Sequence, residues 1–212
     1  MTVKKINLAA FDLHTQSLGP GIRAVVWVRG CAFSCSGCLA PEWIPRNQET
    51  FVQVDWLVDQ ILISKEVSGI TLSGGEPMLQ AAGLLELVRS VRSKREVNII
   101  CFTGFVLDEL LREPPSPEIF EFLSEIDLLV DGRYVKELND DRGLRGSSNQ
   151  KFHYLTNRLE HINFENAKRK VEISINKEFV LMKGIPTRVG LQTINHALQI
   201  KPDVSNHSIE LK

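Results

Sequence analysis

Three cysteines within eight residues, Cys31, Cys35 and Cys38 in GCAFSCSGC, constrain the fold most, because three thiols crowded into one short segment suit a cofactor site that the rest of the chain must be built around. Positions 31, 35 and 38 also have helical spacing, so three small buried residues on one helix face is the competing reading. Gly30, Ser34, Ser36 and Gly37 argue against a stable helix there and for a loop that wraps a cofactor. A closed structural zinc site wants four protein ligands, with its cysteines usually in two separated pairs. Three crowded thiolates instead suit an iron–sulfur cubane, normally held by four cysteines, with one iron left open to a substrate. Zinc stays open as an alternative, with Cys101, His14 or His153 as the fourth ligand.

The segments around that loop alternate between two periods. Residues 22–28, IRAVVWV, read as a strand that stops at Arg29-Gly30 and delivers the cysteines. Val54, Leu57, Val58, Ile61 and Leu62 repeat at helical spacing, and Gly69 to Leu72 reads as a short buried strand ending at Ser73-Gly74-Gly75-Glu76-Pro77. Ala81, Leu84, Leu85 and Val88 make a helix face, and Val97 to Phe102 a strand running into Thr103-Gly104. Leu107, Leu110 and Leu111 begin a helix that Pro114-Pro115 stops. Ser116-Pro117 supplies an N-cap and first helical residue for a helix showing Ile119, Phe122, Leu123 and Ile126. Asp127 to Val130 is the fourth strand, ending at Asp131-Gly132.

Such alternation predicts a parallel sheet with right-handed crossovers, either doubly wound or part of a barrel. Every chemically distinctive motif follows a predicted strand, so all four are expected at the carboxyl edge where α/β sites are built. Beyond Gly132 a polar stretch, RYVKELNDDRGLRGSSNQ, reads as a surface loop. Phe152 to Thr156 and Val171, Ile173 and Ile175 read as strands, with Phe179 to Met182 pairing back across Asn176-Lys177 and a last helix through Leu191, Ile194 and Leu198. A single domain over residues 1–200 is expected, with its core at 20–155, a hairpin and helix at 160–200 and a loose tail at 201–212.

The chain has 212 residues, 25 Lys and Arg against 26 Asp and Glu, for a net charge of −1. It lacks the basic footprint of a nucleic-acid binder, and no apolar run approaches membrane-spanning length. Clustered thiols rather than disulfide arithmetic point to a reducing cytoplasm.

In the turn Ser73 to Glu76, two residues without Cβ let a ligand lie against the main chain, and Glu76 offers a carboxylate to an ammonium or hydroxyl. Two glycines after a strand also make an ordinary tight turn. Thr103 equally starts a turn, Asp131 equally bonds nearby backbone amides, Arg133 equally faces solvent, and Cys101 reads as a buried structural thiol.

The C-x3-C-x2-C loop after one strand, with GGEP after the next, resembles the radical S-adenosylmethionine superfamily. The stretch LGPGIRAVVWVRGCAFSCSGC is similar to the first strand and cluster loop of its glycyl-radical-enzyme activases. Gly37 before the last cysteine, TGF at Thr103 to Phe105, VDGRYV from Val130 and RGSSNQ at Arg145 to Gln150 resemble the branch that activates anaerobic ribonucleotide reductase. Together these motifs cover roughly residues 7–155.

The resemblance implies an α/β fold, an incomplete (β/α) barrel with mostly parallel strands. Cys31, Cys35 and Cys38 would hold a [4Fe-4S] cluster whose open iron chelates S-adenosylmethionine. An electron from the cluster would break a carbon–sulfur bond, and the 5′-deoxyadenosyl radical would take hydrogen from a backbone glycine of a large partner, the reductase. A flavodoxin- or ferredoxin-type donor would supply the electron. Ser73, Gly74, Gly75 and Glu76 would hold the methionine amino group, Gly37 would approach the adenine, Thr103 and Asp131 would serve the ribose or methionyl end, and Arg133 would pair with the carboxylate. Leu39 departs from the aromatic that activases commonly carry, and the chain runs about fifty residues beyond the shortest of them. The segment from Glu160 onward would close the barrel, form a dimer contact or fit a partner. Two other functions compete: a radical enzyme acting on a small molecule, such as a deazapurine synthase, and a non-catalytic metal-binding or redox-sensing protein.

Overall fold

The structure, a computed structural model, describes residues 4–47, 49–175 and 180–197. The expected turn at Asn176-Lys177, Phe179, Leu198 and the tail at 201–212 lie outside the described residues. Seven strands form one sheet in the order β3-β1-β2-β4-β5-β6-β7. They are β1 (Lys5–Thr15), β2 (Ile22–Val28), β3 (Phe51–Gln53), β4 (Val67–Gly74), β5 (Asn98–Phe102), β6 (Leu128–Asp131) and β7 (Lys151–Tyr154). The central four, β2, β4, β5 and β6, are parallel, whereas β1, β3 and β7 join antiparallel. Helices α1 (Val54–Ile63), α2 (Ala81–Arg92), α3 (Leu107–Arg112) and α4 (Ile119–Ser124) supply the crossovers.

The mostly parallel α/β centre agrees with the sequence. The barrel goes further than what is seen, since β3 and β7 are two separate edges and the sheet does not close on itself. β1 has no counterpart among the strands expected from the sequence, yet it is an eleven-residue strand. Its register against β2 shifts between Leu8 and Ala10 and again between Asp12 and Thr15. Those irregularities break the alternation by which a strand is recognised. Among the described residues no helix is long and apolar enough to cross a membrane.

Alternation within the parallel strands assigns each residue to one of two buried faces. Ala24, Val26, Val28, Ile70, Leu72, Ile99, Cys101 and Leu129 pack on the helix side against Leu57, Leu84, Val88 and Phe122. On the inner face lie Val25 and Trp27 in one cluster and Ile100, Leu128 and Val130 in another. A separate antiparallel ribbon, β8 (Val171–Ile175) and β9 (Val180–Gly184), sends Leu181 against the first of these clusters, and Ile185 beyond it packs on both. Lys183 Nζ lies 3.1 Å from Asp12 Oδ2, and Glu172 Oε2 accepts from Ser17 Oγ at 2.8 Å. A final helix, α5 (Arg188–Ala197), begins where Arg188 donates to Asp141.

At the amino edge the fully buried Arg23 donates from Nε to Thr71 Oγ1, from Nη1 to Asn98 Oδ1 and from Nη2 to the Ile70 carbonyl, each at 2.6 Å. A buried guanidinium is tolerated only when its donors are taken up in this way.

Candidate active site at the carboxyl edge

β2 pairs with β4 so that Val28 stands opposite Gly74, which brings the cysteine loop and the glycine turn side by side. The contact is main chain on main chain: Gly75 N donates to Val28 O at 2.7 Å and Glu76 N to Gly30 O at 2.9 Å. Gly74 has φ +105, and a Cβ on Gly74 or Gly75 would run into the backbone of Val28 or Gly30. Two glycines are therefore required for this approach, whatever else the turn does. The loop is held from behind as well. Gly30 N and Cys31 N donate to Trp43 O and Ile44 O, Arg46 Nε donates to Cys31 O at 3.1 Å, and Gln80 Nε2 reaches Arg29 O at 2.9 Å.

Glu76 joins this turn to the next strand end. Its Oε1 accepts from Met78 N at 2.9 Å and Thr103 Oγ1 at 2.8 Å, and its Oε2 accepts from Gly104 N at 2.8 Å. The residue is 1% exposed, and burial pushes its carboxyl up from 4.5 to about 7, against the lowering effect of those hydrogen bonds. Glu76 and Thr103 are thus bonded to each other and to the backbone, an arrangement that fixes two turns. Asp131 is similarly engaged: Oδ2 accepts from Leu107 N at 2.7 Å and lies 2.9 Å from His153 Nε2.

The strand ends also meet over the cysteine loop. Gly104 leaves the space that the Phe33 ring fills, Phe33 and Phe105 stack edge to face at 4.9 Å between centroids, and the Arg133 guanidinium sits 4.5 Å above Phe33. Gly37 adopts φ +75, with the Lys136 stem lying where its Cβ would point. The polar stretch after Gly132 folds back to hold this corner. Gln150 Nε2 donates to Gly132 O and Asn149 Nδ2 to Arg133 O, both at 2.8 Å, while Gln150 Oε1 accepts from Gly146 N at 2.7 Å. Phe33 and Lys136 were not singled out from sequence, and Gln150 entered only as the last residue of RGSSNQ. Phe33, an aromatic between two cysteines, carried a usable signal; what Lys136 and Gln150 touch became visible only when the loop folded back.

Cys31, Cys35 and Cys38 are half-buried, and Cys38 N donates to Cys35 O within the loop. Burial pushes the Cys31 and Cys38 thiols up, and the nearby thiols push further, as does Glu76 at Cys31. Among the described residues no three Cys, His, Asp or Glu side chains converge tightly enough to share a single ion. A cubane instead asks for one thiolate on each of three irons, which a three-cysteine loop can provide. None of the proposed fourth zinc ligands stands ready beside them. Cys101 is fully buried on the helix side, its thiol pushed well up by burial. His14 is one residue before Thr15, which pairs with Arg23 at the far end of β2, and His153 is held against Asp131.

A three-cysteine loop on the carboxyl edge of a parallel α/β sheet, backed by a main-chain glycine turn, has the donor set of an iron–sulfur protein. Residues 17–153 match the family described as a 4Fe-4S single cluster domain. The chain is 32% identical to the anaerobic ribonucleoside-triphosphate reductase-activating protein of Escherichia coli K12 over 145 residues, 65% of this chain and 91% of the relative. It is 32% identical to the protein of that name from Enterobacteria phage T4 over 63% of this chain and 84% of the relative. A shorter match, 37% over 81 residues, or 35% of this chain and 32% of the relative, is to the pyruvate formate-lyase-activating enzyme of Staphylococcus epidermidis. The chain belongs to this family of radical S-adenosylmethionine activases, with a [4Fe-4S] cluster and S-adenosylmethionine as its cofactors.

Proposed function

We propose that the chain generates a glycyl radical on an anaerobic ribonucleotide reductase. The observation that carries this is the three-thiol loop with Gly37 before its last cysteine, lying against the Gly74-Gly75 main chain. The match over 91% of a reductase-activating relative supports it. The open sheet is read as an incomplete barrel whose carboxyl edge is the active site, within one domain spanning residues 1–200. When bound, the cluster and S-adenosylmethionine would supply the one-electron chemistry by which hydrogen is removed from the target glycine.

The protein's own residues hold and orient. Cys31, Cys35 and Cys38 hold three irons and give up their protons to do so. Ser73 and the Gly74-Gly75 main chain receive the methionine amino group, Gly37 lets the adenine approach, and Arg133 reaches the methionine carboxylate. Glu76, Thr103 and Asp131 stand behind these groups and set the turns, because both Glu76 oxygens, Thr103 Oγ1 and Asp131 Oδ2 already carry hydrogen bonds. A flavodoxin- or ferredoxin-type protein supplies the electron, and the cytoplasm keeps the thiols reduced.

Anaerobic reconstitution followed by iron and sulfide analysis tests the cofactor assignment. We expect an electron paramagnetic resonance signal of the reduced cluster that changes when S-adenosylmethionine is added. Binding of one zinc without sulfide would remove the mechanism. Cys35→Ala should abolish deoxyadenosine formation, and retained activity would remove the ligand assignment. Incubation with reductase should give a glycyl radical; deoxyadenosine without that radical on any candidate would favour a small-molecule substrate.

A further inference from the structure

The matched family region ends at residue 153, and the segment that follows is not idle. Its Arg169 side chain is 2% exposed, and it points into the polar loop that carries RGSSNQ. Nη2 donates to the carbonyl of Arg145 at 2.5 Å and reaches those of Arg142 and Gly146 at 3.3 and 3.4 Å. Nη1 donates to Asn139 Oδ1 at 2.8 Å and Pro186 O at 3.1 Å, and Nε to Gly143 O at 3.4 Å. Asp141 at 3.5 Å and Asp140 at 3.9 Å balance the buried charge. Only a planar group with donors on three nitrogens can serve this many acceptors at once.

The gripped backbone connects directly to the active-site corner. Gly146 N and Ser147 N donate to Gln150 Oε1, whose amide holds Gly132 O, and Ser147 Oγ accepts from Val135 N. Asn149 holds Arg133 O, so residues 132–136 are fixed by the loop that Arg169 fixes. Arg133 and Lys136 are the two side chains that this stretch lays on Phe33 and Gly37 of the cysteine loop.

We propose that Arg169 is a positioning residue for cofactor binding, a clamp through which the segment beyond the family region holds the 132–150 loop against the cysteine loop. This rests on the reading of the site as an S-adenosylmethionine pocket. Release of the clamp should loosen substrate binding more than it slows the chemical step, since the residue touches no reacting atom.

Three forms are compared, wild type, Arg169→Gln and Arg169→Lys, each reconstituted anaerobically. We expect unchanged iron content, a rise in KM for S-adenosylmethionine of roughly tenfold with kcat within about threefold, and faster amide hydrogen exchange across residues 139–147, on the scale of losing charged hydrogen bonds. Lys should not restore KM, because an ammonium cannot span the same carbonyls. An unchanged KM, a loss confined to kcat, or full recovery with Lys would overturn the proposal. If both variants fail to fold, Asn139→Ala, which removes one acceptor of the guanidinium, takes their place: a raised KM supports the clamp and an unchanged KM would overturn it. A wild-type holoenzyme that forms no deoxyadenosine would instead refute the proposed function, while the exchange comparison would still judge the clamp.

Discussion

Glu76 shows how burial changes what a residue does. In the sequence its carboxylate is available to a ligand; in the fold its two oxygens accept from Met78, Thr103 and Gly104. Nothing near Glu76 in sequence reveals this, because the donors at 103 and 104 arrive from the next strand. Burial raises its folded pKa above the unfolded value, so the folded state holds the proton more tightly. The stability that Glu76 itself contributes to the cluster-free protein should therefore be greatest below pH 4.5, fall as pH rises to about 7, and level off above that. The loss through this group should be on the order of 3 kcal/mol. Urea unfolding at a series of pH values measures it. Glu76→Gln should flatten that part of the profile, and an unaltered slope would assign the pH dependence to other groups. The cysteines behaved differently: residues seven positions apart need no distant partner to bring them together, so their spacing with the intervening glycines and serines made the loop legible in the sequence.

At the level of elements, legibility followed periodicity. Helix α2 shows Ala81, Leu84, Leu85 and Val88 at helical spacing, and all four are buried beneath the sheet. α3 was located equally well, but Leu111, read as part of its apolar face, is 50% exposed. Leu84→Ala should cost about 2–5 kcal/mol by leaving a cavity, whereas Leu111→Ala should stay within about 0.5 kcal/mol. Chemical denaturation of the two variants checks this. All four apolar residues predicted for α4 are buried, but Ile126 lies beyond the end of the helix, which begins at Ile119 after Glu118 without a side-chain cap from Ser116. β1 escaped notice because its two register shifts scramble inside and outside, and β3 because three residues carry no period. Both elements flank the parallel strands, and their places are set by pairing, which local sequence does not encode.

For the whole molecule, the inner face of the sheet needs the segment after Tyr154. Ile185 touches both inner clusters, bridging the side of the sheet near Val25 and Trp27 to the side near Ile100 and Val130. Ile185→Glu should place an unpaired carboxylate at that junction and cost about 2–4 kcal/mol, measured as a fall in the urea midpoint with binding of a hydrophobic dye. An unshifted midpoint would mean that the ribbon only rests on the sheet. The hairpin was visible in the alternation of Val171, Ile173 and Ile175, but not the surface it would cover, since its contacts are with residues more than a hundred positions earlier.

That arrangement also orders events during synthesis. The seventh strand of the sheet ends at Tyr154, and Ile185 follows about thirty residues later. At roughly 5–20 residues per second, the nascent sheet waits roughly two to six seconds for its cover. During that interval Val25 and Trp27 lack Leu181 and Ile185, whereas Ile100 and Val130 already have Leu159 and Phe164 beside them, so one half of the inner face is left as the apolar surface that chaperones bind on a nascent chain.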